Sequence, residues 1–134
     1  MRTNCPGSAS RVKIPIYELA TKEDHIAPAT SVFKGSKLFG GPIRFVLAGS
    51  GHIAGVVNPP SSRKYQYWTN GRSCESLEQF VAGATETPGS WWPHWIEWLR
   101  QQDQAEVPAK NKRKPGKKGD AVLGDAPGSY VMTR

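Results

Sequence analysis

The sequence predicts an α/β fold built around one strand, helix, strand unit. Residues 14–20 (IPIYELA) and 43–48 (IRFVLA) are almost wholly apolar runs, which are typical of strands buried on both faces. A helix is predicted between them over residues 28–39, with a proline in its first turn and two glycines after its last residue. Because such a crossover is right-handed, the two strands are expected to be parallel neighbours.

A proline and a polar segment bound the first predicted strand. Pro15 has no amide proton to give to a sheet, so strand pairing is expected to start after it. Residues 21–26 (TKEDHI) are polar and are predicted to form the loop at the carboxyl end of this strand. Asp24 and His25 lie in that loop.

The second predicted strand runs into a glycine-rich loop, residues 49–55 (GSGHIAG). Open α/β sheets keep their sites at the carboxyl ends of their strands. His52 lies in this loop, so parallel pairing is expected to bring Asp24 and His52 to the same end of the sheet.

Two helices on the outside of the sheet are predicted after the Asn-Pro-Pro sequence at residues 58–60. The first begins with a capping box made by Ser76 and Gln79. The second is opened by Gly89 and Ser90, and its two apolar rows are expected to cover the sheet. These rows are Trp91, Trp95 and Trp98, and Trp92, Ile96 and Leu99.

The two predicted strands do not make a complete sheet. A parallel pair buried on both faces needs helices on each side, and both of its outer edges stay open. The chain is therefore expected to be part of a fold, with a sheet completed by an upstream segment or by a partner.

The net charge of +7 over 134 residues is concentrated in one segment. Residues 108–127 lack the periodicity needed to bury a face, and we interpret residues 106–134 as a basic flexible tail with a short carboxy-terminal motif. Such a tail favours a solvated linker over a contact for an acidic polymer or a membrane surface. Six basic residues cluster in it: Lys110, Lys112, Arg113, Lys114, Lys117 and Lys118.

Cysteine usage and the length of apolar runs indicate the compartment. Cys5 and Cys74 show neither metal-ligand spacing nor a disulfide framework. No run reaches the roughly 18 apolar residues of a membrane span, and the amino terminus lacks the apolar core of a signal peptide. We expect a cytoplasmic protein with reduced thiols, no metal site and no transmembrane segment.

Asp24 and His52 form the pair that is expected to carry chemistry. A carboxylate can fix the tautomer of an imidazole, which then acts as general base toward a thiol or hydroxyl. In α/β-hydrolase folds the chain order is nucleophile, acid, histidine, and Asp24 before His52 matches its second half. From these residues alone, a turn role for the aspartate and a structural role for the histidine stay open. His25 is interpreted as an exposed loop residue, with a supporting role beside Asp24 as the alternative, and His94 as a surface or packing residue.

Five stretches of the chain are similar to one enzyme family. They resemble the carboxy-terminal region of class I polyhydroxyalkanoate synthases, or poly-3-hydroxybutyrate polymerases, of the α/β-hydrolase superfamily. On this resemblance, residues 1–10 are an irregular amino-terminal segment and residues 11–105 are the carboxy-terminal part of an α/β-hydrolase-type catalytic domain. The stretches are EDHIAP (23–28), IRFVLAGSGHIAGVVNPP (43–60), YWT (67–69), GSWWPHWIEWL (89–99) and PGSYV (127–131).

The resemblance implies polymerisation of (R)-3-hydroxyacyl groups from coenzyme A thioesters, with release of coenzyme A and without a further cofactor. In the family, an upstream cysteine in a nucleophile elbow carries the acyl group. By motif, His52 is the base that deprotonates this cysteine, and Asp24 activates the substrate hydroxyl or orients His52. The implied partners are the 3-hydroxyacyl-coenzyme A substrate, the polyester chain and an amino-terminal synthase segment, in the cytoplasm or at the polyester granule surface.

One part of the family pattern is missing. The nucleophile box G-x-C-x-G is absent, because Cys5 stands in NCPG and Cys74 in RSCES. We therefore interpret the chain as a synthase fragment that supplies the Asp and His of the site and has no polymerase activity of its own.

Other functions fit the residues less well. Residues 49–54 (GSGHIA) match G-x-G-x-x-A, a permissive form of the dinucleotide-binding fingerprint. That fingerprint requires a helix of several turns, which the Asn-Pro-Pro sequence at 58–60 would end too early. Ser50 is not a hydrolase nucleophile, since Ala48 stands where G-x-S-x-G needs glycine. A non-catalytic, basic and Trp-rich module could bind single-stranded nucleic acid. The helical spacing of the tryptophans favours packing instead, against the sheet, the rest of the enzyme or the granule.

Overall fold

The computed structural model describes residues 8–108, 116 and 119–133. The chain divides into two units, residues 1–104 and residues 105–134. Within its described part, the second unit is exposed throughout and contains one short 3-10 helix, Tyr130–Met132. Cys5 and the six clustered basic residues of the predicted tail lie outside the described residues.

Four strands form a mixed sheet in the order β1-β2-β3-β4. β1 and β2 are parallel and in register, with Thr21 opposite Ala48 at their carboxyl ends. β3 is antiparallel to β2, and β4 is antiparallel to β3. The α/β class and the parallel first pair are thus as predicted. The strands are β1 (Ile16–Thr21), β2 (Ile43–Ala48), β3 (Gln66–Thr69) and β4 (Thr85–Pro88).

The prediction that only helices follow the Asn-Pro-Pro sequence is wrong. β3 and β4 lie there, and β3 pairs with β2, so β2 is an interior strand with both edges covered. Each of these strands has four residues, QYWT and TETP, which is too short to show a period. β4 is also polar and ends in proline, which is typical of an edge strand. Pairing with a neighbour, rather than a local apolar pattern, defines both of them.

Three helices accompany the sheet: α1 (Ala29–Ser36), α2 (Leu77–Ala82) and α3 (Trp92–Gln102). α1 ends before the predicted Phe39, because the chain tightens after Gly35 into turns such as Leu38 N–H to Gly35 C=O, 3.0 Å. β1 starts after Pro15, as expected. Short 3-10 helices also occur at Ala9–Arg11 and Pro60–Ser62.

The predicted cap of α2 is present with one difference. Ser76 Oγ accepts the N–H of Gln79 at 3.3 Å, as in a capping box. The Gln79 side chain, however, accepts from the N–H of Glu75 at 3.0 Å rather than from that of Ser76. One free N–H at the start of α2 is therefore satisfied from the Ser76 side chain.

Alternate residues of β2 face two separate cores. On one face, Phe45 packs edge to face on Phe33 of α1 and on Phe80 of α2, with ring centroids 4.9 and 5.0 Å apart. On the other face, Val46 and Ala48 are buried in a cluster that Trp91 joins from just before α3. This alternation follows from the period of two along a strand.

α3 covers its face of the sheet incompletely. Tyr17 of β1 contacts Trp91 and Trp98, with ring centroids 6.0 and 5.4 Å away. No residue of α3 is buried, and three of its apolar side chains are exposed: Trp95, Ile96 and Leu99. The predicted packing of the tryptophan rows on the sheet is therefore met at Trp91 and Trp98, whereas Trp95, Ile96 and Leu99 are exposed among the described residues.

The outer edge of β1 is open. Within the described part of the chain β1 pairs only with β2, so its other edge has no strand beside it. Of the two open edges expected from the sequence, that of β2 is covered by β3, and β4 is instead the second edge strand of the sheet.

Candidate active site

The loop after β1 holds the carboxylate of Asp24 in a fixed position. Asp24 Oδ1 accepts the N–H groups of Ile26 and Ala27 at 2.8 and 2.9 Å, just before α1 begins. The Asp24 N–H donates to the carbonyl of Thr21 at 3.3 Å. This is the local turn that Asp favours through its short side chain, and it leaves Oδ2 for another partner.

The loop after β2 brings His52 to the same place. The parallel ladder continues beyond the strands, since Lys22 N–H donates to Ala48 C=O at 2.8 Å and Glu23 N–H to Ser50 C=O at 3.0 Å. Ser50 has a φ of 67°, an uncommon value for a residue other than glycine. The chain bends there and enters a short turn that starts at His52.

The structure brings the two predicted site residues into direct contact. His52 Nδ1 lies 2.8 Å from Asp24 Oδ2. The hydroxyl of Thr21 donates to the same Oδ2 at 3.3 Å. The Asp24 side chain is only 6% exposed, whereas the His52 side chain is 47% exposed. The pair therefore has a buried acid and an accessible imidazole.

The hydrogen bonds to Asp24 keep its carboxyl ionised. The N–H of Ala27 is the largest cause, desolvation opposes it, and the His52 ring and the N–H of Ile26 add to it, so that the pKa of Asp24 falls to about 2. An ionised carboxylate can only accept hydrogen bonds. Nδ1 of His52 must then carry the proton, and in the neutral ring Nε2 has the free lone pair.

This arrangement can carry out general base catalysis. Nε2 can take a proton from a thiol or hydroxyl placed beside the exposed side of the ring, while Asp24 stabilises the imidazolium that forms. No metal is needed for that step. Among the described residues, no group of three His, Cys, Asp or Glu side chains could hold a metal ion.

The other two histidines lie outside the pair. His25 is exposed and makes no hydrogen bond or ion pair with the described residues. His94 of α3 is joined to the Tyr17 hydroxyl through Nδ1 at 2.8 Å. Burial, followed by the nearby Arg44, lowers the pKa of His94. The packing role predicted for His94 agrees with these contacts.

Cys74 is not placed to work with His52. It is buried, and it lines a cavity of about 430 Å³ beside Ile43 and Phe45, at the amino end of β2 and away from the loops of the pair. Its Sγ contacts the Asn70 amide at 3.6 Å and the Arg72 carbonyl at 3.5 Å. Within the described residues, therefore, no thiol lies next to the imidazole.

Sequence reasoning missed three contributors to this end of the sheet. The sequence predicts Thr21 only as a loop residue, although its hydroxyl donates to Asp24. The indole N–H groups of Trp91 and Trp92 donate to carbonyls of the His52 turn. The spacing of the tryptophans gives a helix face but no partner 36 residues away, so no local signal pointed to these contacts.

Comparison with known proteins identifies the family. No family model matches the chain. It is 60% identical over 129 residues to the poly(3-hydroxyalkanoate) polymerase subunit PhaC of Rhizobium etli, covering 95% of this chain. The identity is 55% over 125 residues to the poly(3-hydroxyalkanoate) polymerase of Methylorubrum extorquens, covering 92%. It is 41% over 132 residues to subunit PhaC of Cupriavidus necator, covering 96%.

The chain matches a carboxy-terminal part of polyhydroxyalkanoate polymerases. It spans about a fifth of the length of the curated relatives, 20% for the Rhizobium and Methylorubrum proteins and 22% for the Cupriavidus protein. The family suggested by the five sequence stretches is thus confirmed. Within the described residues of this synthase segment, no helix has the length and apolarity needed to cross a bilayer.

Proposed function

We propose that this chain supplies the histidine and the aspartate of the acyl-transfer site of a polyhydroxyalkanoate synthase. The observation that carries the proposal is the 2.8 Å contact between His52 Nδ1 and Asp24 Oδ2, made by loops at the carboxyl ends of two parallel strands. The substrates are (R)-3-hydroxyacyl-coenzyme A thioesters and the growing polyester, and no further cofactor takes part.

The chemistry proposed for His52 is proton transfer at sulfur and oxygen. Nε2 takes the proton of a cysteine thiol, and the thiolate attacks the thioester carbonyl of the substrate. Coenzyme A leaves as a thiolate and receives that proton, so the acyl group is now bound to the cysteine. The terminal hydroxyl of the growing polyester then gives its proton to Nε2 and attacks the enzyme thioester. The ester bond forms, and the cysteine leaves as a thiolate that takes the proton back from Nε2.

Of the two roles that the resemblance allows for Asp24, its contacts favour the orienting role. Both carboxylate oxygens are occupied, Oδ1 by two backbone N–H groups and Oδ2 by His52 and Thr21. A carboxyl whose pKa is about 2 is also a weak base toward a hydroxyl. We assign to Asp24 the positioning of the imidazole and the stabilisation of its charged form.

The nucleophile is proposed to come from a part of the synthase outside this segment. Cys74 is buried at the other end of β2, and neither cysteine lies in a nucleophile box. We propose that residues 11–105 are the end of an α/β-hydrolase-type domain whose sheet continues at the open edge of β1. The parallel β1 and β2 pair and the chain order of acid and histidine support this.

The surface beside the pair suits an apolar polymer. Ile26, Ile53 and Val57 are 66%, 73% and 62% exposed, and they flank Asp24 and His52 in sequence. Exposed apolar side chains at a site are typical of a surface that meets an apolar ligand or partner. They support the proposal that the intact synthase works at the surface of its polyester granule.

The test is a coenzyme A release assay with 3-hydroxybutyryl-coenzyme A. The chain is mixed with a separately expressed amino-terminal synthase segment that carries the nucleophile, and each piece is also measured alone. We expect release only from the mixture, a loss of at least about a hundredfold for His52→Ala, and no loss for His25→Ala. Release by the chain alone, or release that His52→Ala leaves intact, would contradict the proposal.

A further inference from the structure

We propose that Trp91 and Trp92 are positioning residues for His52. The indole N–H of Trp91 donates to the carbonyl of Gly55 at 3.1 Å, and that of Trp92 donates to the carbonyl of Val56 at 3.0 Å. Two consecutive side chains thus bind two consecutive carbonyls of the turn that begins at His52. Their role in catalysis rests on the function proposed above, whereas their effect on the position of the His52 ring does not depend on it.

The turn needs support from outside. Gly55 N–H donates to Gly51 C=O at 2.9 Å, and Val57 N–H donates to Ile53 C=O at 2.8 Å, which makes about one helical turn. A single turn is unstable by itself, because nucleation fixes many dihedrals for few hydrogen bonds. Of its last two carbonyls, that of Val56 also accepts the backbone N–H of Asn58 at 3.1 Å, whereas that of Gly55 has no backbone donor among the described residues. The two indoles donate to carbonyls at this end.

The indole rings are themselves held in place. Trp91 stacks on Tyr17 of β1 with ring centroids 6.0 Å apart and an angle of 29°. The Tyr17 hydroxyl is hydrogen-bonded to His94 of α3 at 2.8 Å. The backbone N–H of Trp92 donates to Ser90 Oγ at 3.1 Å, at the start of the helix. The beginning of α3 therefore links the turn to the sheet and fixes its position.

The opposite side of the turn is closed by the strand end. A Cβ at Gly55 would lie 2.5 Å from the carbonyl oxygen of Gly49 and 2.6 Å from Cγ2 of Thr21. Thr21 is the residue whose hydroxyl donates to Asp24. The turn is thus confined between Thr21 on one side and the indoles on the other, and any shift of it changes the distance from His52 Nδ1 to Asp24 Oδ2.

The experiment measures the ¹⁵N chemical shifts of the His52 ring in this chain alone, which report whether Nδ1 or Nε2 carries the proton. We compare wild type with Trp91→Phe, Trp92→Phe and the double variant, which keep an aromatic ring and lose the N–H. Trp95→Phe is the matched control, because the Trp95 indole makes no hydrogen bond with the described residues and its side chain is exposed. Circular dichroism verifies that each variant is folded.

We expect the neutral imidazole of wild type and of Trp95→Phe to carry its proton on Nδ1. In Trp92→Phe and in the double variant, the fraction of neutral His52 protonated on Nδ1 should fall, because the hydrogen bond to Asp24 loosens. A folded double variant with an unchanged Nδ1–H population would overturn the inference and leave the indoles as packing groups. Should Trp91→Phe fail to fold, Trp92→Phe decides, since its ring is only half-buried.

The kinetic readout separates positioning from substrate binding. In the reconstituted synthase, Trp92→Phe is expected to lower kcat by about tenfold and to change KM little, since small displacements of a base act on the chemical step. A change in KM alone would overturn the positioning role. If reconstitution gives no activity at all, the function proposed above fails, and the ¹⁵N result still decides whether the indoles hold His52.

Discussion

His52 and Asp24 are 28 residues apart in sequence, and their side chains meet at 2.8 Å because the strands before them end side by side. Thr21 of β1 lies opposite Ala48 of β2, and the loop hydrogen bonds extend this register by two more residues. The geometry of the pair is therefore a property of the parallel ladder. Changes that disturb the loops should affect the pair before they affect the sheet.

Replacement of the acid tests the pair most directly. In Asp24→Asn the side chain keeps its size, but it has no charge to stabilise an imidazolium and its amide can present N–H to Nδ1. We expect coenzyme A release by the reconstituted synthase to fall by at least about a hundredfold. Glu23→Gln, a neighbouring exposed carboxyl, is the control and should retain activity. Equal losses in both variants would argue against a specific role for Asp24.

The pKa of Asp24 predicts how stability changes with pH. The folded value of about 2 lies below the ordinary value of 3.8, so the group binds its proton more weakly in the folded chain. Its stabilising effect is complete above pH 4 and is lost as the pH falls toward 2. Urea unfolding at several pH values should show wild type more stable than Asp24→Asn at pH 6, with the gap closing toward pH 2. A gap that stays constant would show that ionisation of Asp24 is not its cause.

A methyl group at Gly55 should displace the turn that carries His52. The added Cβ would meet the Gly49 carbonyl oxygen at 2.5 Å and Thr21 Cγ2 at 2.6 Å, and both are held by the strand ends. We expect Gly55→Ala to lower the free energy of unfolding by about 1–3 kcal/mol. The His52 Nδ1–H population should fall as well. Gly71→Ala, where a Cβ meets nothing within 4 Å, is the matched control. Wild-type behaviour of Gly55→Ala would contradict the tight fit.

Local patterns were sufficient for the first half of the chain. The apolar runs, Pro15 and the glycine-rich loop predict β1, β2 and the end of the sheet where Asp24 and His52 meet, since each feature follows from neighbouring residues. β3 and β4 could not be predicted, because strands of four residues are defined by pairing with distant partners. The indole bonds of Trp91 and Trp92 to the His52 turn also depend on tertiary packing, and the sequence shows only a helix face.

The position of Cys74 predicts that this thiol is not the nucleophile of the site. The thiol is buried beside Phe80 and Asn70 at the amino end of β2, so no movement of the His52 loop alone would bring the two together. Cys74→Ala should therefore leave coenzyme A release by the reconstituted synthase unchanged, while it lowers the midpoint of thermal unfolding slightly through the small void it creates. His52→Ala is the matched contrast, with activity lost and the fold kept, because its side chain is half exposed.

Comparison of the wild-type chain with Cys74→Ala can also distinguish two sources of the acyl-carrying thiol. If the nucleophile comes from the amino-terminal segment, the acyl group from radiolabelled substrate should appear on that segment, with wild-type chain and with Cys74→Ala alike. Label on this chain that disappears in Cys74→Ala would instead show that Cys74 carries the acyl group. That outcome would require the end of β2 to rearrange, since the loops of Asp24 and His52 lie at its carboxyl end and Cys74 lies at its amino end.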